Sequence, residues 1–179
     1  MTCIAAVREG KRIVMGGDAA GVAGYSLYNR ADNKVFIKQN MIFGFTSSFR
    51  MGNLLRWQLE IPKHPLGMSV LEYMNVPFIE SVRGLLKEKG FSTTKDNQEE
   101  GGTFLVGYKG KLFRVEDDFQ VALHRDKFLA CGCGESFALA TLYTLRDKKI
   151  PAKQKITQAL VTAEYFSAAV RKPFVILEL

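Results

Sequence analysis

No apolar run in this 179-residue sequence approaches the ~18–20 residues of a membrane-spanning helix, so no membrane role is expected. A secretory signal needs a basic segment followed by an unbroken apolar stretch. Arg8, Glu9, Lys11 and Arg12 interrupt the N-terminal region too early for one. Cysteine is scarce and odd in number. Cys3, Cys131 and Cys133 fit no disulfide framework, which points to reduced thiols and a cytoplasmic setting. Histidine is scarcer still, with His64 between two prolines and His124 in a polar patch beside Arg125 and Asp126. A structural zinc site wants four ligands at paired spacings, and Cys131-Gly-Cys133 is tighter than the usual knuckle. No metal is expected, and neither histidine has a companion that would make it a general base.

What is present is ordinary for a folded enzyme-sized domain. Hydrophobic residues make up 47% and charged residues 24%, enough for one domain over residues 1–179 with a sizeable core. The net charge of +7 raises the question of nucleic acid. The basic residues are scattered, however. The one dense cluster, Arg146, Lys148, Lys149, Lys153 and Lys155 around Pro151, is expected to be a solvated connection between two helices. No helix-turn-helix, RNA-recognition or zinc-finger pattern accompanies it, and no nucleic-acid partner is expected.

Apolar runs over 2–8 and 11–16, joined at Glu9-Gly10, predict a hairpin. Residues 34–38 and 41–46 repeat the pattern around Gln39-Asn40. A helix is predicted over 48–60, capped by Ser47 or Ser48. A longer helical region over 69–89 carries Leu71, Met74, Phe78, Val82 and Leu85 on one face, with Pro77 kinking or splitting it. Residues 91–102 are polar and predict a surface loop. A hairpin turning at Lys109-Gly110 follows, then short strands in FQVALH and KFLACGC, helices over 135–146 and 152–169, and a last strand in PFVILEL. The hairpins EGKRIV and KGKLFRV echo each other. Two antiparallel sheets, each followed by a helix pair, would stack as a four-layer αββα sandwich, although a two-layer α+β fold fits the same periodicity.

The stretch GCGESFA offers two tempting motifs. Gly132-x-Gly134 lacks the third glycine of a dinucleotide loop. Ser136 sits in a strand-to-helix setting suited to a nucleophile elbow, but both histidines precede it, and a hydrolase of that type needs its histidine afterwards. A tight strand-to-helix turn accounts for these glycines.

The N-terminus carries chemistry of its own. A threonine hydroxyl is a weak nucleophile that needs a nearby base. An N-terminal threonine supplies one, because an α-amine has a pKa of ~7.7–8.0 and can take the hydroxyl proton directly or through water. A neighbouring ammonium would favour the deprotonated forms, and an aspartate would orient that ammonium. Thr2, Asp18 after Gly17, and Lys34 heading the strand NKVF are candidates that neighbouring strands could bring together.

The stretch Thr2-Cys-Ile, Gly17-Asp18, Lys34-Val35 and Gly44-Phe-Thr-Ser-Ser48 resembles the N-terminal half of proteasome β-type subunits and of the peptidase ring HslV. The order of elements is similar along nearly the whole chain, with ACGCGESFALA resembling a second motif of that family. The resemblance implies an N-terminal-nucleophile hydrolase with a four-layer sandwich. Thr2 would be nucleophile and, through its amine, base. Asp18 and Lys34 would be its electrostatic partners, and the backbone N–H of Ser48 would face the developing oxyanion. The family usually has glycine at that position. Cys133 stands where the family has a serine between two glycines, and Tyr165 and Ala168 stand where an aspartate and a serine are expected.

By the same resemblance the specificity pocket would be lined by Gly21, Asp32, Phe36, Thr46, Arg50 and Leu54. Asp32 and Arg50 could pair or could select charged side chains. The implied activity is cleavage of peptides or unfolded proteins without a cofactor, inside a homo-oligomeric ring, with a separate ATPase to unfold substrates. Met1 would have to be removed. The alternatives are an amidohydrolase acting on a small amide and a ring-forming structural protein whose site has decayed.

Overall fold

The computed structural model describes residues 2–179. Strands β1 (Ile4–Glu9) and β2 (Arg12–Gly17) form the first hairpin, with Ile4 opposite Gly17. A short, largely exposed hairpin follows that the sequence pattern did not predict, β3 (Ala20–Ala23) with β4 (Ser26–Asn29). Strands β5 (Val35–Lys38) and β6 (Met41–Phe45) pair next and lead into helix α1 (Phe49–Trp57). Ser48 caps α1, its hydroxyl accepting from the Arg50 N–H at 3.0 Å.

The long helical region is continuous through Pro77. Helix α2 (Val70–Tyr73) passes into a π-helical turn (Met74–Phe78) and then α3 (Ile79–Glu88). Proline has no N–H to donate and crowds the preceding turn. The wider π turn takes it up without breaking the element. Residues 91–102, expected as a loop, contain a small exposed hairpin, β7 (Thr93–Lys95) with β8 (Gln98–Glu100).

Strands β9 (Phe104–Tyr108), β10 (Lys111–Val115), β11 (Val121–Leu123) and β12 (Phe128–Cys131) follow. Helices α4 (Glu135–Leu145) and α5 (Ala152–Phe166) and strand β13 (Val175–Glu178) complete the chain. The basic cluster lies in and just after the α4–α5 connection.

The two main sheets are antiparallel and interleaved in sequence. One has the order β12-β1-β2-β13 and the other β11-β10-β9-β6-β5. The sequence echo suggested that each half of the chain would build its own sheet. Instead the first hairpin is flanked by two late strands, and β6 pairs with β9.

Three apolar clusters fill the three interfaces of an αββα sandwich. Ile4, Ala6, Ile13 and Met15 of one sheet meet Val35, Ile42, Leu105 and Leu112 of the other. Phe43, Phe104 and Phe113 pack on α1 and α3 through Leu54, Leu55 and Val82. Ala5, Val7 and Val14 pack on α4 and α5 through Leu142, Ile156 and Leu160. The period-two alternation of β1 sends Ile4 and Ala6 to one interface and Ala5 and Val7 to the other. This four-layer arrangement is the one the resemblance implied.

Candidate active site

Register alone gathers the candidate residues at one end of the sandwich. Ile4 is paired with both Cys131 and Gly17. Thr2, just ahead of β1, is therefore flanked by Asp18, just past β2, and by Cys133, just past β12. The facing sheet contributes Lys34, just ahead of β5, and Thr46–Ser48, just past β6, held together by the Phe45 N–H donating to the Lys34 carbonyl at 3.0 Å.

Thr2, Asp18, Lys34 and Thr46 are polar or charged residues withdrawn into the interior. The Lys34 ammonium donates to both carboxylate oxygens of Asp18 at 3.0 Å. Asp18 also accepts from the backbone N–H groups of Cys3 and Ala20, each at 2.9 Å. A buried charge needs such compensation, and here the carboxylate is fully occupied. The Cys3 bond fixes the peptide that follows Thr2. Burial pulls the pKa of Lys34 below the usual lysine value, opposed by the charge and hydrogen bonds of Asp18.

Cys133 grips the Thr2 backbone from the other side. The Thr2 N–H donates to the Cys133 Sγ at 3.2 Å, and the thiol returns a bond to the Thr2 carbonyl at 3.3 Å. The Gly134 N–H donates to the same carbonyl. Gly132 lies at φ 98°, and a Cβ there would fall 2.3 Å from the Thr2 oxygen. Only glycine permits this approach. Burial raises the thiol pKa of both Cys3 and Cys131, which leaves Cys133 as the exposed cysteine. Met1, whose removal the resemblance requires, lies outside the described residues.

The second group behind Cys133 is neither of the residues expected from the sequence. Tyr165 is turned outward and packs edge-on against Phe166, and Ala168 is exposed. Ser167, the first residue after α5, brings its Oγ to 3.5 Å from the Cys133 sulfur. The Arg171 N–H approaches Asp18 at 3.5 Å. Neither Ser167 nor Arg171 carries a local sequence signal. Their positions follow from where α5 ends.

The Ser48 amide differs from its expected role as an oxyanion donor. Its N–H donates to the Thr46 carbonyl at 2.7 Å, closing a tight turn over Ser47, whose φ is 61°. In this conformation the amide is spent within its own loop.

A cavity of about 270 Å³ opens beside Thr2, between the β3–β4 hairpin and the start of α1. Of the six pocket residues expected, Gly21 and Thr46 line it. Phe36 and Leu54 belong to the core between sheet and helices. Phe36 stacks on Phe43 at 5.0 Å, because strand alternation turns it away from Val35 and the sheet interface. Arg50 and Asp32 do not reach the wall and do not pair. Asp32 binds Arg30 instead, accepting from its Nε and Nη2 at 2.7 and 2.6 Å. Arg30 and Phe49 line the cavity, and the sequence reading had named neither. His64, between its two prolines, is not a surface residue. It is half-buried, stacked on Tyr73 at 4.3 Å and hydrogen-bonded to the Tyr108 hydroxyl at 3.0 Å, away from this cavity. Among the described residues no His, Cys, Asp and Glu cluster could hold a metal ion, and no helix is long and apolar enough to cross a membrane.

No protein-family model and no curated protein matches the sequence. Solved structures do match along almost its whole length. BPH from Thiobacillus denitrificans, solved in complex with epoxomicin, is 20% identical with a TM-score of 0.82, covering 99% of this chain and 98% of that one. HslV from Trypanosoma brucei is 20% identical with a TM-score of 0.71, covering 99% of each chain. Anbu, described as an ancestral β-subunit, from Yersinia bercovieri is 14% identical with a TM-score of 0.68, covering 99% of this chain and 81% of that one. The chain therefore has the four-layer sandwich of the proteasome β-type and HslV-like N-terminal-nucleophile hydrolases.

Proposed function

We propose that residues 1–179 form one peptidase domain that cleaves peptide bonds through Thr2, once removal of Met1 has freed its amine. The observation that carries this reading is the buried Lys34–Asp18 pair, anchored through Asp18 to the Cys3 amide one residue from Thr2. A buried ion pair is weak evidence for stability in itself. Beside a cavity and a candidate nucleophile, it is better explained by function.

In this mechanism the Thr2 hydroxyl oxygen attacks the substrate carbonyl while its proton passes to the Thr2 amine. The amine returns that proton to the leaving nitrogen as the C–N bond breaks, leaving an ester on Thr2. A water molecule, deprotonated by the same amine, then hydrolyses the ester. Lys34 favours the deprotonated hydroxyl and the neutral amine, Asp18 holds Lys34 in place, and Cys133 fixes the Thr2 backbone. Ser48 can serve the oxyanion only after its amide leaves the Thr46 carbonyl. No cofactor takes part in these steps.

The likeness to HslV and to a protein described as an ancestral β-subunit supports a homo-oligomeric ring, with peptides or unfolded protein as substrate and a separate ATPase as unfoldase. A sedimenting species of only 20.0 kDa would exclude the ring. The engaged Ser48 amide is the one observation that favours the alternative, a ring protein without turnover. Hydrolysis of fluorogenic peptides by the wild-type chain and by Thr2→Ala, compared on matched assembled particles, tests the proposal.

A further inference from the structure

Among the described residues, the cavity beside Thr2 has two charged ones on its wall, Arg30 and Lys34, and no carboxylate. The two cations differ in what they can offer. Lys34 is held by both oxygens of Asp18. Arg30 gives only its Nε and Nη2 edge to Asp32, and its Nη1 makes no hydrogen bond among the described residues. A guanidinium has five donors in a fixed fork, so a second carboxylate can bind where the first does not.

Arg30 is also held in place. Its guanidinium lies 3.9 Å above the Phe49 ring. Its stem passes so close to Gly21 that a Cβ there would fall 2.8 Å from Cδ. Phe49 opens helix α1, whose first turn carries no acidic residue, so the partial positive charge of the helix start adds to the same wall.

We infer that this cavity selects an acidic side chain, glutamate or aspartate, on the substrate residue whose carbonyl faces Thr2, and that Arg30 is the residue that recognises it. The inference rests on the peptidase reading for the identity of the substrate, but binding tests it without turnover. Asp32 is the counter-charge that keeps Arg30 extended and stacked, not the selector. A pairing of Asp32 with Arg50, one of the two arrangements the sequence allowed, would have left the pocket merely polar.

The experiment measures dissociation constants of short peptides that are identical except for a C-terminal Glu, Gln or Leu. It uses the wild-type chain, Arg30→Gln and Arg30→Lys, at two salt concentrations. Glu should bind roughly tenfold more tightly than its isostere Gln, the size of one charge-assisted hydrogen bond. Added salt should erode that advantage, Arg30→Gln should abolish it, and Arg30→Lys should keep part of it. Equal binding of Glu and Gln to the wild-type chain would overturn the inference, and so would an advantage that survives in folded Arg30→Gln. Should Arg30→Gln not fold, the Glu–Gln comparison and its salt dependence in the wild type still decide. Arg30-dependent binding without cleavage would defeat the peptidase reading alone. Thr2-dependent cleavage with no preference for Glu over Gln would defeat this inference alone.

Discussion

The Lys34 ammonium sits 3.0 Å from each carboxylate oxygen of Asp18, and the two side chains are 2% and 0% exposed. Removing one partner of such a pair strands the other in a poorly solvated site, at a cost of about 3–5 kcal/mol. Asp18 would keep its bonds from Cys3 and Ala20, so Lys34→Ala should fall at the lower end of that range. Peptidase activity should be lost almost completely. Lys34→Arg should restore little, because the larger planar guanidinium does not fit an ammonium's place. Urea unfolding and peptide turnover of both variants check this, and an active Lys34→Ala chain would remove Lys34 from the mechanism.

The same lysine sets a pH dependence. Its folded pKa lies below the ordinary 10.5 because burial disfavours the charged form. Between the lowered value and 10.5, the unfolded chain binds more protons than the folded one. Stability therefore rises with pH across that window. Below the window, Lys34 is charged in both states and its burial penalty is present in full. The urea midpoint of the wild type relative to Lys34→Met should increase as pH rises towards 10.5. A difference that stays flat or falls would contradict the direction of the shift.

Cys133→Ser should leave kcat unchanged or raise it. A hydroxyl is a better donor than a thiol, and Ser167 and the Thr2 carbonyl both lie within reach of this side chain. Alkylation of the folded protein should label Cys133 ahead of Cys3 and Cys131, which are buried with raised pKa values. Peptide mapping after limited labelling reads this directly. A large loss of kcat in folded Cys133→Ser would show that the thiol has chemistry of its own.

Gly132→Ala should abolish activity, because the added carbon would lie 2.3 Å from the Thr2 carbonyl oxygen. The positive φ adds about 1–3 kcal/mol of backbone strain. Turnover and thermal unfolding of this variant give the check. A fully active Gly132→Ala would mean that the Thr2 carbonyl need not sit where it does.

The features legible in the sequence are those carried by local pattern. Turn residues marked the hairpins at Gly10 and Gly110, apolar spacing marked the helices, and the resemblance to the proteasome β-type subunits marked Thr2, Asp18 and Lys34, three residues that the fold brings together. What escaped depended on distant pairing or on backbone geometry. Nothing local tells β6 to pair with β9, or β2 with β13. The β3–β4 hairpin is short and exposed, with no alternation to reveal it. Phe36 and Leu54 read equally well as pocket or core until the strand face and the helix face are fixed. Ser167 and Arg30 reach the site through the ends of elements, and the engagement of the Ser48 amide is set by one φ angle that its side chain does not announce.

The central claim is that Thr2, with a free amine, is the nucleophile. The most direct measurement combines intact mass with peptide turnover, for wild type and Thr2→Ala, before and after treatment with a methionine aminopeptidase. Turnover should appear only in wild-type protein whose mass shows Met1 removed, and Thr2→Ala should be inactive while assembling normally. Full activity in protein that retains Met1, or equal rates for wild type and Thr2→Ala, would contradict the account.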